Sequence, residues 1–107
     1  MVYSLQEIKN KVEPIAEKYN VQSVYLFGSY ARNEATEDSD LDILFVREGS
    51  KIRSLFDMGG MYNDLSEAFG KEISLITEEG LNSVNTKQRI PQFINNVKKE
   101  KMVLYEG

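Results

Sequence analysis

The sequence predicts an α/β (α+β) chain, a small mixed β-sheet with helices packed on it. Three observations predict this. Short runs rich in β-branched and aromatic residues, Val21–Phe27, Leu41–Val46 and Glu72–Thr77, read as strands. Around them, apolar residues recur at helical spacing. At 107 residues and 41% hydrophobic content, the chain suffices for one ordinary core, so residues 1–107 read as a single domain.

Ser4-Leu5-Gln6-Glu7 reads as a capping box, and Ile8, Val12, Ile15 and Tyr19 follow on one helical face. Pro14 removes one backbone donor inside that helix, which predicts a kink or a late first turn, and Asn20 closes it. The Val21–Phe27 strand ends at Gly28, and the small and polar residues 28–39 suffice for one short helix and a turn. The Leu41–Val46 strand ends in a turn at Gly49-Ser50.

Ile52, Leu55, Phe56, Tyr62, Leu65 and Phe69 trace one face of a second long helix, capped by Gly70. Gly59-Gly60 in its middle costs about 1 kcal/mol per glycine, which predicts close packing of the helix against the sheet. After the Glu72–Thr77 strand and a polar segment, Pro91 opens a last helix carrying Phe93, Ile94 and Val97. Met102–Tyr105 reads as an edge strand or a docking tail.

Net charge is −4, which argues against binding nucleic acid through its phosphates; no direct readout of bases is expected. No cysteine or histidine is present, so disulfides, thiolate nucleophiles and imidazole bases are excluded. A metal here would be hard and bound by oxygen, Mg²⁺ first. The charged N-terminus and the short apolar runs predict neither a signal peptide nor a membrane span, hence a cytoplasmic protein.

The chemistry concentrates in GSYARNEATEDSDLD, residues 28–42. A glycine after a buried strand turns the backbone sharply and brings it close to a ligand. A helix opening at Ser29 would offer its first N–H groups to an anion, with Arg32 one turn on adding positive charge. Asp40 and Asp42 alternate on a strand and so share one face. Such a pair suits Mg²⁺ ions that also hold substrate phosphates. A calcium loop starting at Asp38 is ruled out, because Ile43 stands where that loop needs glycine and Gly49 where it needs glutamate. Neighbouring strands would bring Gly28-Ser29 and Asp40/Asp42 to one edge of the sheet.

This stretch resembles the signature of the DNA polymerase β-like nucleotidyltransferases, Gly-Ser-x-Ala-Arg followed by Ser-Asp-x-Asp and an apolar strand. The chain most resembles the minimal nucleotidyltransferases (MNT) that pair with HEPN proteins as antitoxin and toxin. The likeness runs through the leading helix, residues 26–32, residues 39–42, the Phe56-to-Phe69 helix, the Ile73-to-Thr77 strand and Glu79-Gly80-Leu81. It implies the polymerase β palm-like fold. It also implies transfer of a nucleoside monophosphate, AMP first, from Mg-bound ATP or another NTP to an acceptor hydroxyl, with release of pyrophosphate. Gly28 and Ser29 would hold the phosphates with help from Arg32, and Asp40 and Asp42 would be the catalytic carboxylates holding one or two Mg²⁺ ions. The implied acceptor is a tyrosine of a HEPN-type toxin.

Three positions depart from the family pattern. Asn33 replaces a glycine, and asparagine also enters left-handed turns. Gly59-Gly60 interrupts a helix that is usually more regular. Ser74 stands where the family has a third aspartate. Serine supplies neither charge nor a base, and Glu72, the nearest substitute, lies two residues away, about 6–7 Å along the strand. A catalytically weak protein of the same fold that neutralises a partner by contact is therefore the alternative, and a small-molecule acceptor also stays open. For a partner surface, the sequence offers Tyr30, Met58, Met61 and Tyr62, of which Tyr62 fits the core better. Lys98, Lys99 and Lys101 read as cations favoured at a helix C-terminus.

Overall fold

The computed structural model describes residues 2–81 and 101–107. Helix α1, Leu5–Lys18, starts at the expected capping box. The Glu7 N–H donates to the Ser4 Oγ at 3.2 Å and the Ser4 N–H to the Glu7 carboxylate at 3.1 Å, a reciprocal cap worth about 1 kcal/mol. The helix runs through Pro14 unbroken. It ends at Tyr19, after which Asn20 takes the left-handed conformation at φ 54°. Ile8, Val12, Ile15 and Ala16 are its buried stripe.

Strand β1, Ser23–Phe27, leads into the single-turn helix α2, Gly28–Ala31. Strand β2, Leu41–Phe45, returns antiparallel to β1, with Phe27 opposite Asp42 and Tyr25 opposite Leu44. Helix α3, Leu55–Phe69, is capped by the Ser54 hydroxyl and ended by Gly70 at φ 64°. It is the crossover to β3, Ile73–Thr77, which lies parallel to β2 with Ser74 opposite Asp42. The one-turn helix α4, Glu78–Leu81, follows directly. Strand β4, Met102–Glu106, pairs antiparallel with β1, giving the order β3-β2-β1-β4. Of the two readings of the Met102–Tyr105 segment, the edge strand is the one formed. The last helix expected from Pro91, with Phe93, Ile94 and Val97, and the cations Lys98 and Lys99 lie outside the described residues.

Alternation gives the sheet two unlike faces. One carries Val24, Leu26, Leu41, Ile43, Phe45 and Ile73, which form the main core with α1 and α3. The other carries Phe27 and Leu44, with Tyr25 and Ile76 against them. Asp42 and Ser74 belong to this second face, in register with Phe27.

The expected apolar face of α3 is only half right. Met61, Leu65 and Phe69 are buried, and Ile52 is buried ahead of the helix. Leu55 and Phe56 are 87% and 88% exposed, and Tyr62 is 38% exposed rather than in the core. Helix α3 starts only at Leu55, so spacing counted from Ile52 assigns the first turn to the wrong side. Of the other surface candidates, Tyr30 and Met61 are buried, and Met58 packs partly against the core. The glycine pair also packs differently than expected. A Cβ on Gly60 would meet the Tyr19 hydroxyl of α1 at 3.0 Å, whereas one on Gly59 would meet nothing within 4 Å.

Candidate functional site

Phe27 ends β1 in extended geometry, and Gly28 turns the chain at φ 72°. This left-handed value favours glycine. A side chain here would also strike Asp42, because a Cβ on Gly28 would overlap the Asp42 carboxylate. The turn is then held by its own backbone, Arg32 N–H to the Gly28 carbonyl at 3.1 Å and Glu34 N–H to the Ser29 carbonyl at 2.9 Å. Asn33 leaves it at φ 59°, in the left-handed conformation that substitution of glycine by asparagine permits.

Two contacts fix α2 against the rest of the fold. Tyr30 points into the core, and its hydroxyl accepts from Lys71 Nζ at 3.1 Å. Arg32, exposed at the end of the turn, pairs with Glu34 at 3.2 Å. The connection to β2 is braced by Ser39, whose hydroxyl accepts the Thr36 N–H at 2.9 Å.

Because β1 and β2 are antiparallel neighbours, the end of one and the start of the other share an edge. Gly28 thereby meets Asp42 at that edge, with Ser29 next in the turn, and the charges of Asp40 and Arg32 act on the Asp42 carboxyl. Asp40 is exposed and Asp42 half-buried. Burial pushes the Asp42 carboxyl above its ordinary value, and the Asp40 charge adds to that. A hydrogen bond from the Ser74 hydroxyl and the Arg32 charge pull it back down.

Glu72 is placed differently. The Leu41 N–H donates to the Glu72 carbonyl at 3.3 Å at the mouth of the β2–β3 ladder, so Glu72 flanks Asp40 rather than Asp42. Among the described residues, no three carboxylates gather closely enough to hold a metal ion. Glu72 thus does not complete a third ligand with Asp40 and Asp42. Asp40 lies just ahead of β2 rather than on it as expected. With Asp42, raised by burial and by the Asp40 charge, it nevertheless makes a pair that fits a hard divalent cation bringing further oxygen ligands on a phosphate substrate.

One anchoring residue was not foreseen in the sequence. Glu79 of α4 accepts the Arg47 and Glu48 N–H groups at 2.9 and 2.7 Å, tying the end of β2 to the end of β3. Those hydrogen bonds hold its carboxyl low although burial acts the other way. The signal available was Glu79 itself, an acid just beyond a predicted strand.

No helix among the described residues is long and apolar enough to cross a membrane. Residues 6–104 match the family model described as "Nucleotidyltransferase domain". MJ0435 of Methanocaldococcus jannaschii, a proposed protein adenylyltransferase, is 40% identical over 87 residues, 81% of this chain and 90% of that protein. The solved structure of a proposed minimal nucleotidyltransferase superposes at TM-score 0.64 with 28% identity, covering 94% of this chain and 95% of that one. A tri-AMPylated Shewanella oneidensis HEPN toxin in complex with an MNT antitoxin superposes at TM-score 0.65 over 97% of this chain and 74% of that one. At 17% identity, this last likeness concerns the fold.

Proposed function

Because the chain belongs to the nucleotidyltransferase domain family, we propose that it moves AMP from Mg-bound ATP to an acceptor hydroxyl, with the acceptor a tyrosine of a HEPN-type toxin. The observation that carries this reading is the meeting of the Gly28-Ser29 turn with Asp40 and Asp42 at one sheet edge. Gly28 and Ser29 hold the triphosphate, and Arg32 adds charge beside it. Asp40 and Asp42 hold Mg²⁺, one ion or two, which when bound supplies charge stabilisation to the phosphoryl oxygens. The acceptor oxygen attacks the α-phosphorus. The bond from that phosphorus to the bridging oxygen of pyrophosphate breaks, pyrophosphate leaves, and the hydroxyl proton is released. The supply of ATP places this work in the cytoplasm. The named relative MJ0435 and the AMPylated toxin complex support AMP and the HEPN partner as first choices.

A second reading keeps the fold and the partner but little catalysis. Ser74 opposite Asp42, with no third carboxylate close by among the described residues, favours it. Incubation with α-labelled ATP, Mg²⁺ and a HEPN-type toxin separates the two. Label on the toxin that is lost in Asp40→Asn with Asp42→Asn supports transfer. A tight unlabelled complex that survives the same double substitution supports neutralisation by contact and overturns the first reading.

A further inference from the structure

Asp42 is held from two sides. The Gly28 backbone lies against its carboxylate, leaving no room for a Cβ. Across the parallel ladder, Ser74 is its direct partner, and adjacent strands lie only about 4.8 Å apart. A hydroxyl one carbon from the backbone, on the same face and directly opposite, is short enough to reach the neighbouring carboxylate across that gap without displacing it. We propose that Ser74 is a positioning residue, whose hydroxyl fixes the Asp42 carboxylate in one orientation between β3 and the Gly28 turn. This rests on the reading of Asp40 and Asp42 as the cation-binding pair.

The chemistry favours this over a lapsed ligand. An aspartate at position 74 would add a third negative charge beside a carboxylate that burial already penalises. A serine hydroxyl in that position can instead satisfy one lone pair of Asp42 and leave the others for a cation. Hydrogen bonds of this kind to metal-binding side chains hold them in place before the metal arrives. Ser74 is itself exposed, so its hydroxyl contributes little to the core.

The test uses the full chain as wild type, Ser74→Ala and Ser74→Thr. Three-bond NMR couplings of Asp42, without metal, report its side-chain rotamer. Water-proton relaxation reports binding of Mn²⁺ with a non-hydrolysable ATP analogue. One rotamer is expected in wild type and Ser74→Thr, and averaging in Ser74→Ala. Affinity for the Mn²⁺ complex is expected to fall about 10-fold in Ser74→Ala and to return in Ser74→Thr. A single rotamer persisting in Ser74→Ala, or affinity unchanged by that substitution, overturns the proposal. If the rotamer result holds while no protein binds the Mn²⁺ complex, the positioning role stands and the cation-binding reading falls.

Discussion

The Cβ that Gly28 lacks would fall on the carboxylate of Asp42, with the Asp42 Cγ 3.0 Å away. Gly28→Ala therefore meets two penalties, a left-handed backbone and a displaced carboxylate. The backbone alone costs about 1–2 kcal/mol. The expected outcome is a lower denaturant midpoint together with loss of the thermal shift that Mg²⁺ and ATP produce in the wild type. An unchanged ligand shift would mean that Asp42 tolerates being moved.

Asp42→Asn separates stability from binding. The Asp42 carboxyl is raised, so its favourable contribution is present below the ordinary value of 3.8 and lost as pH rises through the raised one. At neutral pH the charged, half-buried group costs stability. Without metal, Asp42→Asn is expected to melt higher than wild type at neutral pH, with the gap closing in acid. Scanning calorimetry across pH checks this, and a lower neutral midpoint would contradict it.

The two adjacent glycines of α3 predict opposite behaviour. Gly59→Ala adds a methyl to open space and is expected to stabilise by about 1 kcal/mol. Gly60→Ala drives its methyl to within 3.0 Å of the Tyr19 hydroxyl. That hydroxyl is fixed by its 2.7 Å hydrogen bond to Asp64, so little of the same gain is expected. Chemical denaturation of both variants decides, and equal gains would show that Tyr19 yields freely.

Asp64 joins α3 to α1, accepting from Lys18 at 2.9 Å and from Tyr19. The Lys18 hydrogen bond, then that of Tyr19, holds its carboxyl below 3.8. The stability this adds is present above 3.8 and is lost as pH falls through the lowered value. Wild type is expected to lose its advantage over Asp64→Asn in that acid window. Parallel curves for the two proteins would rule the linkage out. The effect is small because the side chains are 62% and 28% exposed.

Ser74→Asp supplies the carboxylate that the resemblance leads one to expect. It is expected to raise Mn²⁺ affinity without nucleotide and to lower the melting point of the metal-free protein, since three like charges then adjoin. Isothermal titration and thermal melts check the two halves. If Mn²⁺ binding does not improve, position 74 does not face the cation.

Much of this was legible in the sequence because the signals are local. The capping box, the left-handed Asn20, Asn33 and Gly70, and the Gly28 turn each follow from a few neighbouring residues. The meeting of Gly28-Ser29 with Asp40 and Asp42 needed only that β1 and β2 be neighbours. What spacing misassigned depends on where a helix begins. Ile52 lies ahead of the helix, so spacing counted from it does not fix the face: Phe56 falls on the side opposite Leu65, Leu55 opens the first turn, and Met61 rather than Tyr62 is buried. Gly60 against Tyr19 and Ser74 opposite Asp42 are pairings between distant segments, and no local pattern announces them.

The strand order β3-β2-β1-β4 has a kinetic meaning as well. Gly28 and Asp42 meet across one antiparallel connection, a short loop to close, whereas Ser74 arrives only after the whole α3 crossover is made. Closing the Gly28–Asp42 contact therefore costs less chain entropy than bringing Ser74 across from β3. Asp42 also leaves the ribosome before Ser74, because synthesis runs from the N-terminus.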